Sequence, residues 1–154
     1  MGIDPETLVA DFLKVAKIAL VNVPPGAISV FPQPAPHRPN PLPKDKMAVY
    51  VFFWKSKCLK VGRVGKNSRA RYVGQHYKPS SSMSNLSKSI LSAPEARGLP
   101  GLTEASVGPW IKTNTDRYNF VMDSKIGIQV LYLLEVFLQC RLKPMFEGFK
   151  SQQS

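Results

Sequence analysis

The chain has 154 residues and a formal net charge of +11, from 21 Lys and Arg against 10 Asp and Glu. Its hydrophobic fraction of 44% fits one folded domain of ordinary size plus an arm, and excludes global disorder. No apolar run reaches the ~18 residues that a membrane span needs. The longest, Ile126 to Leu138, is interrupted by Glu135. The first residues lack a basic region followed by an apolar core, so secretion is not expected. Two cysteines, Cys58 and Cys140, cannot build a disulfide framework or a zinc site on their own. These features describe a cytoplasmic protein with free thiols and no membrane partner. A pI near 9.9 points to a polyanionic partner, most simply nucleic acid.

Residues 5–21 read as a helix. Asp4 suits the N-cap, Pro5 the first helical position, and Leu8, Phe12, Val15 and Ala19 make one apolar face. Residues 23–45 hold eight prolines, from Pro24 to Pro43, and read as an extended arm or linker wrapping the domain. His37 within it is expected to be solvated. The compact domain spans 46–150. MAVYVFFW (47–54) reads as a strand, Lys55, Ser56 and Lys57 as a turn, and CLKVG (58–62) as the returning strand. Asn67 or Ser68 caps a helix over Arg69–Tyr77. Asn85–Leu91 reads as a short helix, 92–109 as a loop, Trp110–Asn114 as a helical turn and Tyr118–Met122 as a third strand. Trp110 and Ile111 are read as packing residues. Ser124 is expected to cap a last helix over 125–142, ended by Pro144 and Gly148.

The basic excess is localised. Between Lys46 and Ile90 there is no Asp or Glu, but there are Lys46, Lys55, Lys57, Lys60, Arg63, Lys66, Arg69, Arg71, Lys78 and Lys88. A lysine-rich solubilising surface would explain part of this. A surface that tracks phosphates explains the exclusion of acids as well.

The last helix is apolar on almost every side and is expected to be buried nearly all round, with Cys140 in the core. Glu135 sits in its middle, and an unpaired carboxylate there costs several kcal/mol or is forced neutral. Tyr132 and Gln139 put a narrow polar stripe beside it. Glu135 therefore either surfaces on that stripe, pairs with an Arg, or serves as a metal ligand or catalytic acid.

Four pieces in order resemble the GIY-YIG nuclease domain of bacterial members of that family, over about residues 48–149. They are Ala48-Val49-Tyr50, Lys60-Val61-Gly62, the segment Asn67 to Tyr77 with its Arg and His, and Leu133-Leu134-Glu135 followed by Leu142-Lys143-Pro144-Met145-Phe146. The resemblance implies an α+β fold, a three-stranded antiparallel sheet flanked by helices. It implies a bacterial cytosolic endonuclease that hydrolyses DNA phosphodiesters with one Mg²⁺ or Mn²⁺, alone or with a second copy or an accessory protein for target recognition. In that reading Tyr50 positions or activates water, and Arg71 holds the scissile phosphate, since a planar guanidinium can grip two oxygens. His76 contacts phosphate or relays a proton, and Glu135 is the sole protein carboxylate on the metal. Lys60 replaces the usual tyrosine as a phosphate contact or base, and Glu147 replaces an asparagine. Arg63, Lys66, Asn67, Arg69, Tyr72, Tyr77 and Lys78 are the expected nucleic-acid contacts. The alternative is a non-catalytic nucleic-acid-binding module of the same fold.

Overall fold

The computed structural model describes residues 4–67, 72–80, 86–92 and 98–146. These residues form an α+β fold whose antiparallel sheet has four strands, not the expected three. Strands β2 (Lys46–Trp54) and β3 (Lys57–Val64) make the expected hairpin. Strand β4 (Asp116–Asp123) pairs with the other side of β2. The additional strand, β1 (Ile28–Gln33), comes from the proline-rich arm and pairs with β4, giving the order β1-β4-β2-β3. The proline density misleads here because only Pro32 falls inside the strand. On an edge strand a residue without an N–H is tolerated. Residues 28–33 of the arm are thus joined to the sheet.

Strand β2 is central and buried on both faces, which is why its sequence is a continuous apolar run. Met47, Val49, Val51 and Phe53 face one core, shared with α1 (Pro5–Ile18) and the C-terminal helix. Ala48, Tyr50 and Phe52 face the other, covered by α2 (Leu86–Ser92), α3 (Val107–Asn114) and a 3₁₀ turn at Gln75–Tyr77. Helix α1 starts as expected, with the Asp4 side chain accepting from the Glu6 N–H. It ends at Ile18, so Ala19 lies beyond it, and Ala16 is buried where Val15 is expected to be. Helix α3 begins inside the stretch expected to be a loop, with Pro109 in its first turn, where no helical N–H is needed. Its Trp110 packs against Trp54 at 5.6 Å between ring centroids.

Helix α4 (Ile128–Leu142) departs from its expected form in three ways. Asp123, not Ser124, caps a separate 3₁₀ turn at Ser124–Ile126, and Gly127 (φ 106°) sets that turn apart from the helix. Lys143 in the left-handed conformation ends it. It is buried on one side only: Ile128, Tyr132 and Val136 are 40–48% exposed, and Cys140 is exposed as well. Apolar composition overstated its burial because one flank of the helix has no element packed on it among the described residues. Burial pushes the other thiol, Cys58, up to about 12, so it is a packing group. Among the described residues no helix is long and apolar enough to cross a membrane.

Of the helix expected over Arg69–Tyr77, residues 72–73 are helical and Gln75–Tyr77 form the 3₁₀ turn. Ser68, Arg69, Arg71 and Glu147 lie outside the described residues.

Gly62 on β3 faces its register partner Tyr50, and a Cβ there would overlap the Tyr50 hydroxyl and ring carbons. The ring is pinned in the core, so it cannot give way cheaply. Gly62→Ala is expected to destabilise the fold by about 1–3 kcal/mol, read as a lower urea midpoint with unchanged slope. An unchanged midpoint would show that the tyrosine does not need the glycine.

Candidate functional site

Strand alternation decides which candidates share a face. Tyr50 and Phe52 lie in two rows across three strands: Gly62–Tyr50–Asn119 and Lys60–Phe52–Arg117. Tyr72, His76 and Tyr77 cover these rows. Glu135 comes from α4, on the other side of the sheet, and meets it at Arg63.

The His76 ring bridges two partners. The Leu86 N–H donates to Nδ1 at 3.2 Å, so in the neutral ring the proton sits on Nε2. That N–H donates to the Tyr50 oxygen at 2.5 Å. Both ring nitrogens are therefore used inside the fold. His76, expected to contact phosphate or relay a proton, is held against the Tyr50 phenol in this fold. Lys60 is 1% exposed, and Tyr72 and Tyr77 are buried, so these three also do not present themselves at the surface as expected. The Lys60–Phe52–Arg117 row reads as surface by charge alone, but α2, α3 and the 3₁₀ turn cover this face.

Two residues absent from the sequence-based site are central to this face. Arg117 is fully buried, donating from Nε to Asn119 Oδ1 at 2.8 Å and from Nη1 to the Tyr77 hydroxyl at 3.1 Å. Its guanidinium lies 4.5 Å from the Tyr72 ring centroid, 5.2 Å from Phe52 and 5.3 Å from Tyr50. Among the described residues it has no carboxylate partner, and its Nη2 has no hydrogen-bond partner. Asn119 in turn donates to the Phe31 carbonyl at 3.3 Å and Gln33 Oε1 at 2.9 Å, tying β1 to the same cluster. The signal was present in the alternation of Arg117 and Asn119 with Tyr118, Phe120 and Met122. A polar face of a strand normally reads as solvent-facing.

His37 also departs from expectation. It is buried, not solvated: Nδ1 donates to the Thr115 carbonyl at 2.7 Å, and Nε2 accepts from the Tyr77 hydroxyl at 2.8 Å. Burial lowers its pKa below the ordinary histidine value, helped by the Arg117 and Lys112 cations and opposed by the Thr115 carbonyl and Asp116. Burial also pushes the Tyr77 phenol up, against the pull of Arg117, so that phenol keeps its proton.

On the far side of β3, Glu135 pairs with Arg63 and accepts from Gln139 at 3.5 Å. The Arg63 guanidinium also lies 4.1 Å from the Tyr132 ring centroid. The polar stripe expected on α4 is thus real, and its acid is satisfied by an arginine from the acid-free stretch. Its carboxylate is the type of donor that a Mg²⁺ retaining most of its waters takes. Such an ion would have to displace Arg63, whose side chain is 43% exposed and can turn to solvent. Among the described residues no three His, Cys, Asp or Glu side chains gather as a metal cage.

The two pairs flank consecutive residues of the edge strand β3 from opposite faces of the sheet, because successive side chains on a strand alternate. The Tyr50 hydroxyl lies against Gly62, and Glu135 holds Arg63. Just beyond, Lys66 and Asn67 are exposed, as are Lys55, Lys57, Lys78 and Lys88 from the same acid-free stretch. At the other end of β3 the edge is covered, with the Met145 and Phe146 N–H groups donating to the Cys58 and Leu59 carbonyls. Comparison with protein-family models, with curated proteins and with solved structures finds no match to this chain.

Proposed function

We propose that the chain is a metal-dependent DNA endonuclease of GIY-YIG type. The observation that carries this reading is that the Tyr50–His76 pair and the Arg63–Glu135 pair flank Gly62 and Arg63 of the edge strand β3 from its two faces. Those pairs include the tyrosine of the first motif and the late glutamate, and Gly62 beside them is the glycine of the second. A phosphodiester laid along the β3 edge would be drawn there by exposed Lys66, Lys78 and Arg63. Tyr50 would orient the attacking water, with its oxygen fixed by the His76 Nε2–H. Arg63, once released from Glu135, would contact the phosphate, a role that the resemblance gives to Arg71. Glu135 would hold the divalent ion, which supplies Lewis-acid polarisation of the phosphate. The test is supercoiled plasmid incubated with the protein and Mg²⁺ or Mn²⁺. Nicking or linearisation that EDTA stops is the expected result, and inertness on duplex, branched and single-stranded DNA would remove the proposal.

One observation favours a second reading, the non-catalytic nucleic-acid-binding module. Tyr50, Lys60 and His76 are shielded from solvent, and Glu135 already has a cationic partner. That reading expects DNA binding that weakens steeply with salt and no cleavage with any metal.

A further inference from the structure

We propose that His37 is a proton-controlled latch that holds the arm segment 28–39 onto the polar face of the sheet. The hydrogen-bond directions fix the protonation state in which the latch is closed. A carbonyl only accepts, so Nδ1 carries the proton toward Thr115, and Nε2 must be bare to accept from Tyr77. The Tyr77 oxygen in turn accepts from Arg117 Nη1. The chain Arg117 to Tyr77 to His37 to Thr115 therefore runs in one direction and closes only around a neutral imidazole. Protonation would set a second N–H against the Tyr77 oxygen and a second cation beside Arg117.

The surroundings sharpen this. The groups facing His37 are Tyr77 from the 3₁₀ turn, Lys112 from α3, Arg117 and Asp116 from β4, and the Phe52 ring from β2. Two of these are cations and one is an acid, and the acid is already used by the arm, accepting from the Ala35 N–H at 2.8 Å. The His37 N–H itself donates to the Lys112 carbonyl at 2.8 Å. These two amides report whether the arm is docked.

The sign follows from the lowered value. Neutral His37 contributes its full docking stability above the unfolded-state value near ~6.5. That contribution falls as pH drops from there through the lowered folded value. Amide exchange on the full chain tests this, with ¹⁵N NMR of the imidazole alongside. Protection factors of the Ala35 and His37 amides are expected to fall about tenfold per pH unit below ~6.5, relative to β2 amides, as one-proton linkage requires. His37→Gln is expected to remove that pH dependence. The imidazole should titrate below its ordinary value, with Nδ1 protonated at neutral pH. A His37 that titrates at or above ~6.5, or arm protection that tracks β2 at every pH, would overturn the latch. Neither readout depends on DNA cleavage, so the latch and the nuclease proposal fail separately.

Discussion

Replacing Glu135 by alanine is expected to lower metal-dependent DNA cleavage at least about 100-fold, while DNA affinity stays within about threefold. A hundredfold loss corresponds to about 2.7 kcal/mol of transition-state stabilisation, a usual size for removing one charge-handling group. Affinity should hold because the groups proposed to meet backbone phosphate, Lys66, Lys78 and Arg63, are untouched, and removing an acid makes the surface more cationic. Folding should hold as well, because the partner left behind, Arg63, is 43% exposed and is solvated without help. The converse variant behaves differently. Arg63→Ala strands a carboxylate whose side chain is 11% exposed, with Gln139 its remaining partner among the described residues, and is expected to cost more stability than Glu135→Ala. Urea midpoints of the two variants measure that order, and plasmid cleavage measures the first effect. Equal cleavage by Glu135→Ala and the parent chain would take the glutamate out of the chemistry. Equal destabilisation by the two would mean that the pair is a surface contact.

The parts of this molecule that were legible in the sequence are those where local pattern and tertiary setting agree. MAVYVFFW is a strand by composition and by burial, and Asp4-Pro5 starts a helix by cap chemistry alone. The parts that were not legible depend on what a segment packs against. Ile28–Gln33 is a strand because β4 offers it a ladder, a fact no window around Pro32 contains. His37 reads as a solvated residue among prolines, but Thr115 and Tyr77, 78 and 40 positions away, supply its hydrogen bonds. Arg117 shows the same limit in charge. Its polar alternation suggests solvent, and only α3, the arm and three aromatic rings make it core. Glu135 was the reverse case. A carboxylate in an apolar helix announces a partner, and the partner found, Arg63, lies in the acid-free stretch that the charge distribution had already set apart.

Arg117→Ala is expected to be the most damaging single change to the fold, at about 3–5 kcal/mol. The residue is among the largest fully buried side chains. Its removal opens a cavity beside Tyr50, Phe52 and Tyr72, and strips the donors from Asn119 Oδ1 and the Tyr77 oxygen. Volume and charge can be told apart with a second variant. Arg117→Met refills most of the space and removes a buried charge that has no carboxylate partner among the described residues. Replacing buried charge by apolar side chains of similar volume is often neutral or stabilising, so Met is expected to recover most of the loss. Urea unfolding of the two variants decides between the possibilities. If Met is as damaging as Ala, the guanidinium holds the cluster through its hydrogen bonds and its ring contacts, and packing is secondary. The Tyr77 link carries a corollary. Without the Arg117 N–H, the Tyr77 hydroxyl still donates to His37, so the arm should remain docked at neutral pH in Arg117→Met. With one cation gone from beside the imidazole, His37 should titrate higher than in the parent chain, because the Arg117 charge is one of the causes that lower it. An unmoved His37 titration in a folded Arg117→Met protein would show that burial alone keeps the imidazole neutral.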